Sequence, residues 1–384
     1  MKIAFLSHLD LNLYLFRLPI MQKLVEEGHT VYAVCPRGDK FDLFNKYGID
    51  AVAYSIDRGS LNPFKEMKSI YNIYKAIKPL ELDILHTFTA KPNIYGTIAG
   101  KFAKVPTIIN LVEGLGSFYV EDTRKSIFMR KVIETLYRRV FVFSQKVVFV
   151  NSDDPQYLME KKVISEDKIK IIRSVGIDTQ QFAPNAIDQQ TQDTLRESLN
   201  LQDNIVVLMV ARTIWHKGVK EFYKAASMLK ANQNLQFILA GDIDEGNPSS
   251  VDRDFLNDGC VLWLGHRDDI MALTAISDIY VLPSYREGVP RTLLEAASMQ
   301  KPIVTTDTVG CREVVDNGYN GYLVSVKDAQ ALAQKIEILI RDEKKRNIMG
   351  ENGRIMAMKE FDVKNIVKQY LELYRELNKE ENAS

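Results

Sequence analysis

The sequence predicts an α/β protein built from two doubly wound, Rossmann-like domains facing an interdomain cleft. Short Val- and Ile-rich runs alternate with amphipathic helical segments, and this pattern stops and restarts once, near residue 185. At 384 residues the chain also exceeds the usual size of one domain. Unbroken apolar runs suit strands buried on both faces, which requires parallel pairing with helices on either side.

In the expected first domain, residues 1–184, the strand-like runs are 3–6, 30–34, 52–56, 83–87, 107–112, 147–150 and 169–172. A Gln-rich polar stretch, 185–193, then separates this pattern from a second one. The second domain, 185–361, has runs at 205–210, 235–240, 261–264, 279–282 and 302–305. The last 40 or so residues read as helical, with a break marked by Gly353 and Phe361-Asp362. The segment 362–384 is expected to cross back over the first domain. Ligands of open α/β sheets bind beyond the carboxyl ends of the strands, so motifs that follow strands are the ones to read.

Residues 284–296 follow a strand and open a helix. Gly288 allows close backbone approach, and the free N–H groups at the helix start, from Val289 and Arg291 on either side of Pro290, which has none, suit a diphosphate. Glu287 in the loop can meet sugar hydroxyls, and Glu295, about two turns on, can accept from ribose hydroxyls. A helix-capping Glu287 and a surface ion pair at Glu295 are the plainer alternative. Upstream, 210–218 follows the second domain's first strand and sets Arg212 and Lys217 at the same edge, where they can neutralise a departing diphosphate. A solvated basic turn with a core Trp215 is the alternative there. Between them, 264–270 carries Gly265, His266 and Arg267, whose backbone can read a uracil edge, with Asp268 or Asp269 as helix cap.

Arg212, Lys217 and the pair Glu287-x7-Glu295, in this order and context, resemble the donor-binding set of retaining glycosyltransferase family four. The resemblance covers nearly the whole chain. It implies the GT-B fold, with an acceptor-binding, membrane-facing first domain and a UDP-sugar-binding second domain. Arg212, Lys217 and Glu287 would carry the catalytic work. The first half resembles, more narrowly, the members of that family that transfer N-acetylgalactosamine in bacterial N-linked protein glycosylation. The segments that carry this likeness are Ser7-His8, residues 15–19 around Arg17, 83–87 with His86, Lys91-Pro92-Asn93 and 113–119, together with 215–222 from the second half.

The implied reaction is transfer from UDP-GalNAc to undecaprenyl-diphosphate-linked N,N'-diacetylbacillosamine, with retention and without a metal. Its partners are the UDP-sugar, the polyprenyl-diphosphate acceptor and an anionic membrane surface. Ser7, His8, Arg17, His86 and Lys91 are candidates for the acceptor or diphosphate side, although a lone histidine near a strand end also suits a structural role. Many family members have His before Gly where this chain has Glu113. An ionised Glu accepts only, so Glu113 suits a sugar hydroxyl, or else a structural carboxylate held by loop N–H groups.

Residues 124–146 carry seven cations against the single acid Glu134, a net charge of +6. Phe128, Val132, Leu136 and Val140 share one helical face bordered by Arg124, Lys131 and Arg138. This fits an interfacial helix on anionic lipid, and equally a core-facing helix with a solvated basic edge.

Composition narrows the field. Lys plus Arg and Asp plus Glu both total 50, so no global field draws nucleic acid. Cys35, Cys260 and Cys311 have neither metal-ligand spacing nor a disulfide framework, which fits a reducing cytoplasm. The N-terminus reaches Ser7-His8 too early for a signal peptide, and no run approaches the roughly 20 apolar residues of a membrane span. The expected location is the cytoplasmic face of the inner membrane, held peripherally. The acid-rich turn 241–245 reads as a surface loop, and no metal is expected. The competing activities are a UDP-HexNAc transferase of capsule or lipopolysaccharide assembly and a UDP-sugar epimerase. A catalytically silent binding protein, which would show no turnover, also fits these residues. A nicotinamide dehydrogenase is disfavoured, because no Gly-x-Gly-x-x-Gly follows the first strand.

Overall fold

A computed structural model of the chain describes residues 1–57, 62–232 and 234–382; the last two residues of the expected segment 362–384 lie outside the described residues. The chain divides into two compact units, Met1–Val175 with Lys364–Ser384, and Gly176–Val363.

The first unit contains a parallel sheet of β1 (Lys2–Leu6), β2 (Thr30–Cys35), β3 (Asp50–Ala53), β4 (Ile84–Phe88), β5 (Thr107–Val112), β6 (Lys146–Phe149) and β7 (Ile169–Ile171). Its spatial order is β3-β2-β1-β4-β5-β6-β7. The second unit has β8 (Ile205–Val210), β9 (Leu235–Ala240), β10 (Leu262–Trp263), β11 (Ile279–Leu282), β12 (Ile303–Thr306) and β13 (Gly321–Val324), in the order β10-β9-β8-β11-β12-β13. In both sheets the winding reverses beside the first strand, at β1/β4 and at β8/β11, and the crevice beyond that point is where such sheets bind ligands. The central strands β4, β5 and β11 are buried along their whole length, as helices on both faces require.

Several boundaries differ from expectation. The units part at Val175/Gly176, not near residue 185. The second half of the polar stretch is helix, because Asp188 accepts from the Thr191 N–H at 2.8 Å and caps the segment Gln189–Ser198. Strand β13 was not anticipated. It pairs with β12 through Gly321, where an added Cβ would lie 2.1 Å from the Ile303 carbonyl oxygen. Nor does Gly353 break a helix: Glu343–Met356 runs through it, and the glycine its packing requires is Gly350, where an added Cβ would lie 2.1 Å from the Gln300 carbonyl oxygen. The break comes at a π-turn, Ala357–Phe361, and at Asp362, which accepts from the Thr179 hydroxyl.

The last helix, Val363–Asn382, belongs from Lys364 onward to the first unit. It buries Ile366, Tyr370, Leu373, Tyr374 and Leu377, a single stripe at helical spacing. Arg375 pairs with Glu27 at 2.7 Å on its border.

Candidate active site

In the second unit, three loops leave the carboxyl edge of the sheet side by side, after β8, β11 and β12. The β8 loop makes a 3-10 turn, Trp215–Lys217, closed by Gly218 at φ +77°. A Cβ on Gly218 would lie 2.0 Å from the Pro283 carbonyl oxygen, so only glycine lets this loop touch the one after β11. The Tyr285 N–H then donates to the His216 carbonyl at 2.9 Å, and Lys217 Nζ meets Glu287 Oε1 at 2.5 Å. On the other side, the Glu287 N–H donates to the Val309 carbonyl at 3.1 Å, and Gly310 at φ +80° lies against the Gly288 carbonyl.

Lys217 and Glu287 are thus brought together, their side chains 21% and 12% exposed. Glu287 does not cap the helix Arg291–Ser298, whose cap position is Pro290 without any side-chain bond. Val289 packs against the core of the unit. Arg212 is not joined to this pair. It reaches Asp244 at 2.7 Å, and the Thr213 N–H and hydroxyl both donate to the Asp242 carbonyl. The 241–245 turn lies at the surface as expected, and these contacts stitch it to the β8 loop. Gly241 explains the proximity, since a Cβ there would lie 1.8 Å from the Ala211 carbonyl oxygen.

Glu295 pairs with Arg291 at 3.0 Å, their side chains 12% and 32% exposed, so this pair is half-buried rather than the surface pair of the plainer alternative. Arg267 grips Asp269 through two bonds, 2.7 and 2.5 Å, which holds that carboxyl below its usual range. Asp269 stands at the cap position of Ile270–Ile276 with its side chain committed to Arg267 rather than to the helix. His266 lies 3.3 Å from Asp268, exposed, and Trp215 packs edge-on to Phe255 at 5.0 Å as a ring of the core margin.

In the first unit, Ser7 is buried, bonded to Asn12 at 3.2 Å. His8 Nδ1 meets the Thr89 hydroxyl at 2.6 Å, joining the loops after β1 and β4. Thr89 has φ +75° and ψ 164°, a region nearly confined to glycine, so this strained residue sits at the sheet's switch point. Lys91 bonds to Glu66 at 3.0 Å and to the Asp57 carbonyl at 2.8 Å. Two expectations are corrected. His86 is fully buried, with Nδ1 on the Tyr374 hydroxyl at 2.7 Å, so it has no surface for a substrate diphosphate. Arg17 is likewise fully buried and turned to the Glu113 carboxylate. Glu113 is held by this side chain, not by loop N–H groups.

Two family matches divide the chain along the same lines. Residues 2–151 match the family described as "Glycosyl transferase 4-like", and residues 191–356 match "Glycosyl transferases group 1". The chain is 40% identical to the N,N'-diacetylbacillosaminyl-diphospho-undecaprenol alpha-1,3-N-acetylgalactosaminyltransferase of Campylobacter jejuni, over 97% of this chain and 98% of that one. The chain is a family-four glycosyltransferase. An Escherichia coli UDP-Gal:alpha-D-GlcNAc-diphosphoundecaprenol alpha-1,3-galactosyltransferase is 29% identical over 82% of this chain and 81% of its own. Among solved structures, a Rickettsia africae glycosyltransferase superposes with TM-score 0.81 at 23% identity, covering 98% of both chains. Anabaena HepE in complex with UDP gives 0.79 at 22%, over 98% of this chain and all of that one. The architecture is the GT-B fold.

Sequence reading missed several contacts that build this candidate site of the glycosyltransferase. Asp244, the partner of Arg212, lies 32 positions away, and only the acid-rich composition of its turn pointed to it. Gly310 and Val309, which lock the Glu287 loop, follow a strand end in a Thr-Val-Gly run, and that glycine was the one available signal. Tyr285 donates to Glu221 at 2.9 Å and carries Lys327 over its ring at 5.0 Å, contacts no spacing announces.

Burial raises the Glu295 carboxyl above its ordinary 4.5, and Arg291 offsets part of that. Between 4.5 and the raised value the folded enzyme holds more protons than the unfolded chain, so this group's contribution to stability declines as pH rises. Glu295→Gln should therefore lose less melting temperature than the parent on going from acidic to neutral pH. Parallel Tm–pH curves for the two proteins would contradict it.

The helix Arg124–Val140 divides along its length. Tyr137 and Val140 are buried, Val132 and Leu136 half-buried, while Phe128 is 65% exposed. Val142, Phe143 and Phe102 are also exposed, with Lys101 over the Phe143 ring at 5.3 Å. Arg138 departs from expectation: its guanidinium donates to the Lys161 and Lys162 carbonyls at the end of Asp153–Glu160, so it serves the fold. Arg124, Lys125 and Lys131 make no ion pair among the described residues. No described helix is long and apolar enough to cross a membrane.

Proposed function

We infer that this glycosyltransferase moves N-acetylgalactosamine from UDP-GalNAc to undecaprenyl-diphosphate-linked N,N'-diacetylbacillosamine, in α-1,3 linkage and with retention, in bacterial protein N-glycosylation. The observation that carries this is 40% identity over nearly the full length of both chains with the Campylobacter jejuni enzyme of that name. The Escherichia coli relative, whose name also contains a diphosphoundecaprenol-linked sugar acceptor and an α-1,3 linkage, supports the acceptor class.

Lys217 and Arg212 supply positive charge at the edge where the diphosphate departs, and no metal is required. Glu287 orders the sugar, Glu295 accepts from the ribose hydroxyls, and the first turn at Gly288, Val289 and Arg291 meets the diphosphate. His266 and Arg267 border the uracil. The leaving phosphate takes the acceptor's proton on the same face of the sugar, so the enzyme's work is orientation and charge stabilisation. Pro290 offers no N–H where sugar hydroxyls meet the helix start, which disfavours a gluco-configured hydroxyl and leaves an axial one unaffected.

The test is turnover with a panel of UDP-sugars and polyprenyl-diphosphate-linked sugars in EDTA, with product mass and anomeric configuration read. UDP-GalNAc should be preferred over UDP-GlcNAc and the product should be α. Preference for UDP-GlcNAc, an inverted product, or activity restored only by added metal would each remove the corresponding part of the reading.

We place the enzyme peripherally on the cytoplasmic membrane face, through the exposed part of Arg124–Val140. Exposed aromatics among unpaired cations suit an anionic interface, where each cation near the surface contributes about 1 kcal/mol. Reversing Arg124, Lys125 and Lys131 to Glu should abolish co-sedimentation with anionic liposomes at low salt and leave Tm unchanged. Undiminished co-sedimentation would leave a solvated basic edge.

A further inference from the structure

A buried guanidinium keeps its proton, and burying that charge is costly unless a counter-charge meets it. Arg17, between the helices Asp10–Phe16 and Leu18–Glu26, has a side chain 0% exposed. Its Nη2 donates to Glu113 Oε1, while Nε and Nη1, both buried, have no hydrogen-bond partner. Glu113 is therefore the counter-charge on which Arg17 depends among the described residues. The carboxylate is 27% exposed, on the loop after β5, and no described residue donates to Oε2.

The guanidinium carbon lies 4.7 Å from the centre of the Phe88 ring, and the His86 ring lies 4.3 Å from that same ring. His86 is held by the Tyr374 hydroxyl and flanked by Tyr370 at 5.7 Å. Burial and the nearby Arg17 both push the imidazole well below its ordinary pKa, so it stays neutral and does not compete for Glu113. Tyr370 and Tyr374 arrive from the last helix, more than 200 residues from the rest in sequence but in the same unit.

We propose that Arg17 is a positioning residue for Glu113, seated on a neutral floor of Phe88, His86, Tyr370 and Tyr374. The last helix thereby sets the direction in which the Glu113 carboxylate meets a substrate hydroxyl. The proposal rests on the reading of Glu113 as the acceptor of a sugar hydroxyl. It gives the final helix a task in substrate recognition, where packing alone would otherwise explain it.

The test is a pair of double-variant cycles on the full chain, measuring kcat, KM for donor and acceptor, and Tm. Glu113→Gln should raise one KM, and Arg17→Lys should raise the same KM by about 5- to 30-fold. In the Glu113→Gln background Arg17→Lys should add nothing to KM. Tyr374→Phe should act in the same direction, more weakly, and fall silent in that background too. An Arg17 serving only the fold would lower Tm and active fraction alike in both backgrounds with KM unchanged, and that result overturns the proposal. If Arg17→Lys does not fold, the Tyr374→Phe cycle decides alone by the same criterion. A KM raised by Glu113→Gln but multiplied independently by the other substitutions defeats the positioning role and leaves the Glu113 reading intact. Glu113→Gln with both KM values unchanged removes that reading, and the proposal with it.

Discussion

Lys217→Ala should lower turnover roughly 100- to 1,000-fold, the range seen when one donor to developing negative charge is removed. Lys217 is mostly shielded from water, where a fixed charge acts more strongly than in solvent. Arg212 is 64% exposed and shared with Asp244, so Arg212→Ala should cost less. Removing Lys217 also strands Glu287, whose partly buried carboxylate loses its partner, and the stability lost that way must be separated from the chemistry. The double variant Lys217→Ala/Glu287→Gln neutralises the stranded charge. It should recover Tm and leave turnover low. Single-turnover rates with saturating donor measure the chemical loss directly. Near-wild-type rates in both Arg212→Ala and Lys217→Ala would remove the two cations from the mechanism.

Gly310→Ala should lower kcat by about 100-fold although residue 310 bears no chemical group, because displacement of a catalytic loop by about 1 Å costs that much. A Cβ at 310 would lie 2.2 Å from the Gly288 carbonyl oxygen and 2.7 Å from that of Glu287. Both neighbours are backbone and cannot rotate away, so the two loops must part, and the segment holding Glu287 loses the support that sets it against Lys217. The residue also has φ +80°, where any side chain costs about 1–2 kcal/mol. Gly318→Ala separates the two effects, since Gly318 has φ +84° with nothing within 4 Å of its added Cβ. Both variants should lose stability, and only Gly310→Ala should lose turnover. Equal kcat in the two would mean that the three-loop contact does not hold the reacting geometry.

Legibility of the site follows the range of the interaction. The strand cores and the motif loops after β8 and β11 were readable because burial on both faces and the helix start are local demands on composition. Strand β13 escaped because its four residues form a strand through Gly321's contact with β12, not through their own pattern. The unit boundary was misplaced because a polar run serves a capped helix as well as a linker, and the Asp188 cap outweighed the run's composition.

The sequence by itself determined the doubly wound class, the family and the residue types gathered at the second sheet's carboxyl edge, since periodicity and motif spacing are properties of the chain alone. Tertiary structure decided partnership. Lys217 meets Glu287 across 70 positions, Arg212 meets Asp244 across 32, and Arg17 meets Glu113 across 96. Such pairs depend on which strand ends the winding brings together and on where glycine permits backbones to touch. The same physics removed His86 and Arg17 from the surface: each is polar enough to suggest a substrate contact, but His86 is covered by Tyr370 and Tyr374 of a helix that arrives from the far end of the chain, and Arg17 lies over the Phe88 ring against Glu113.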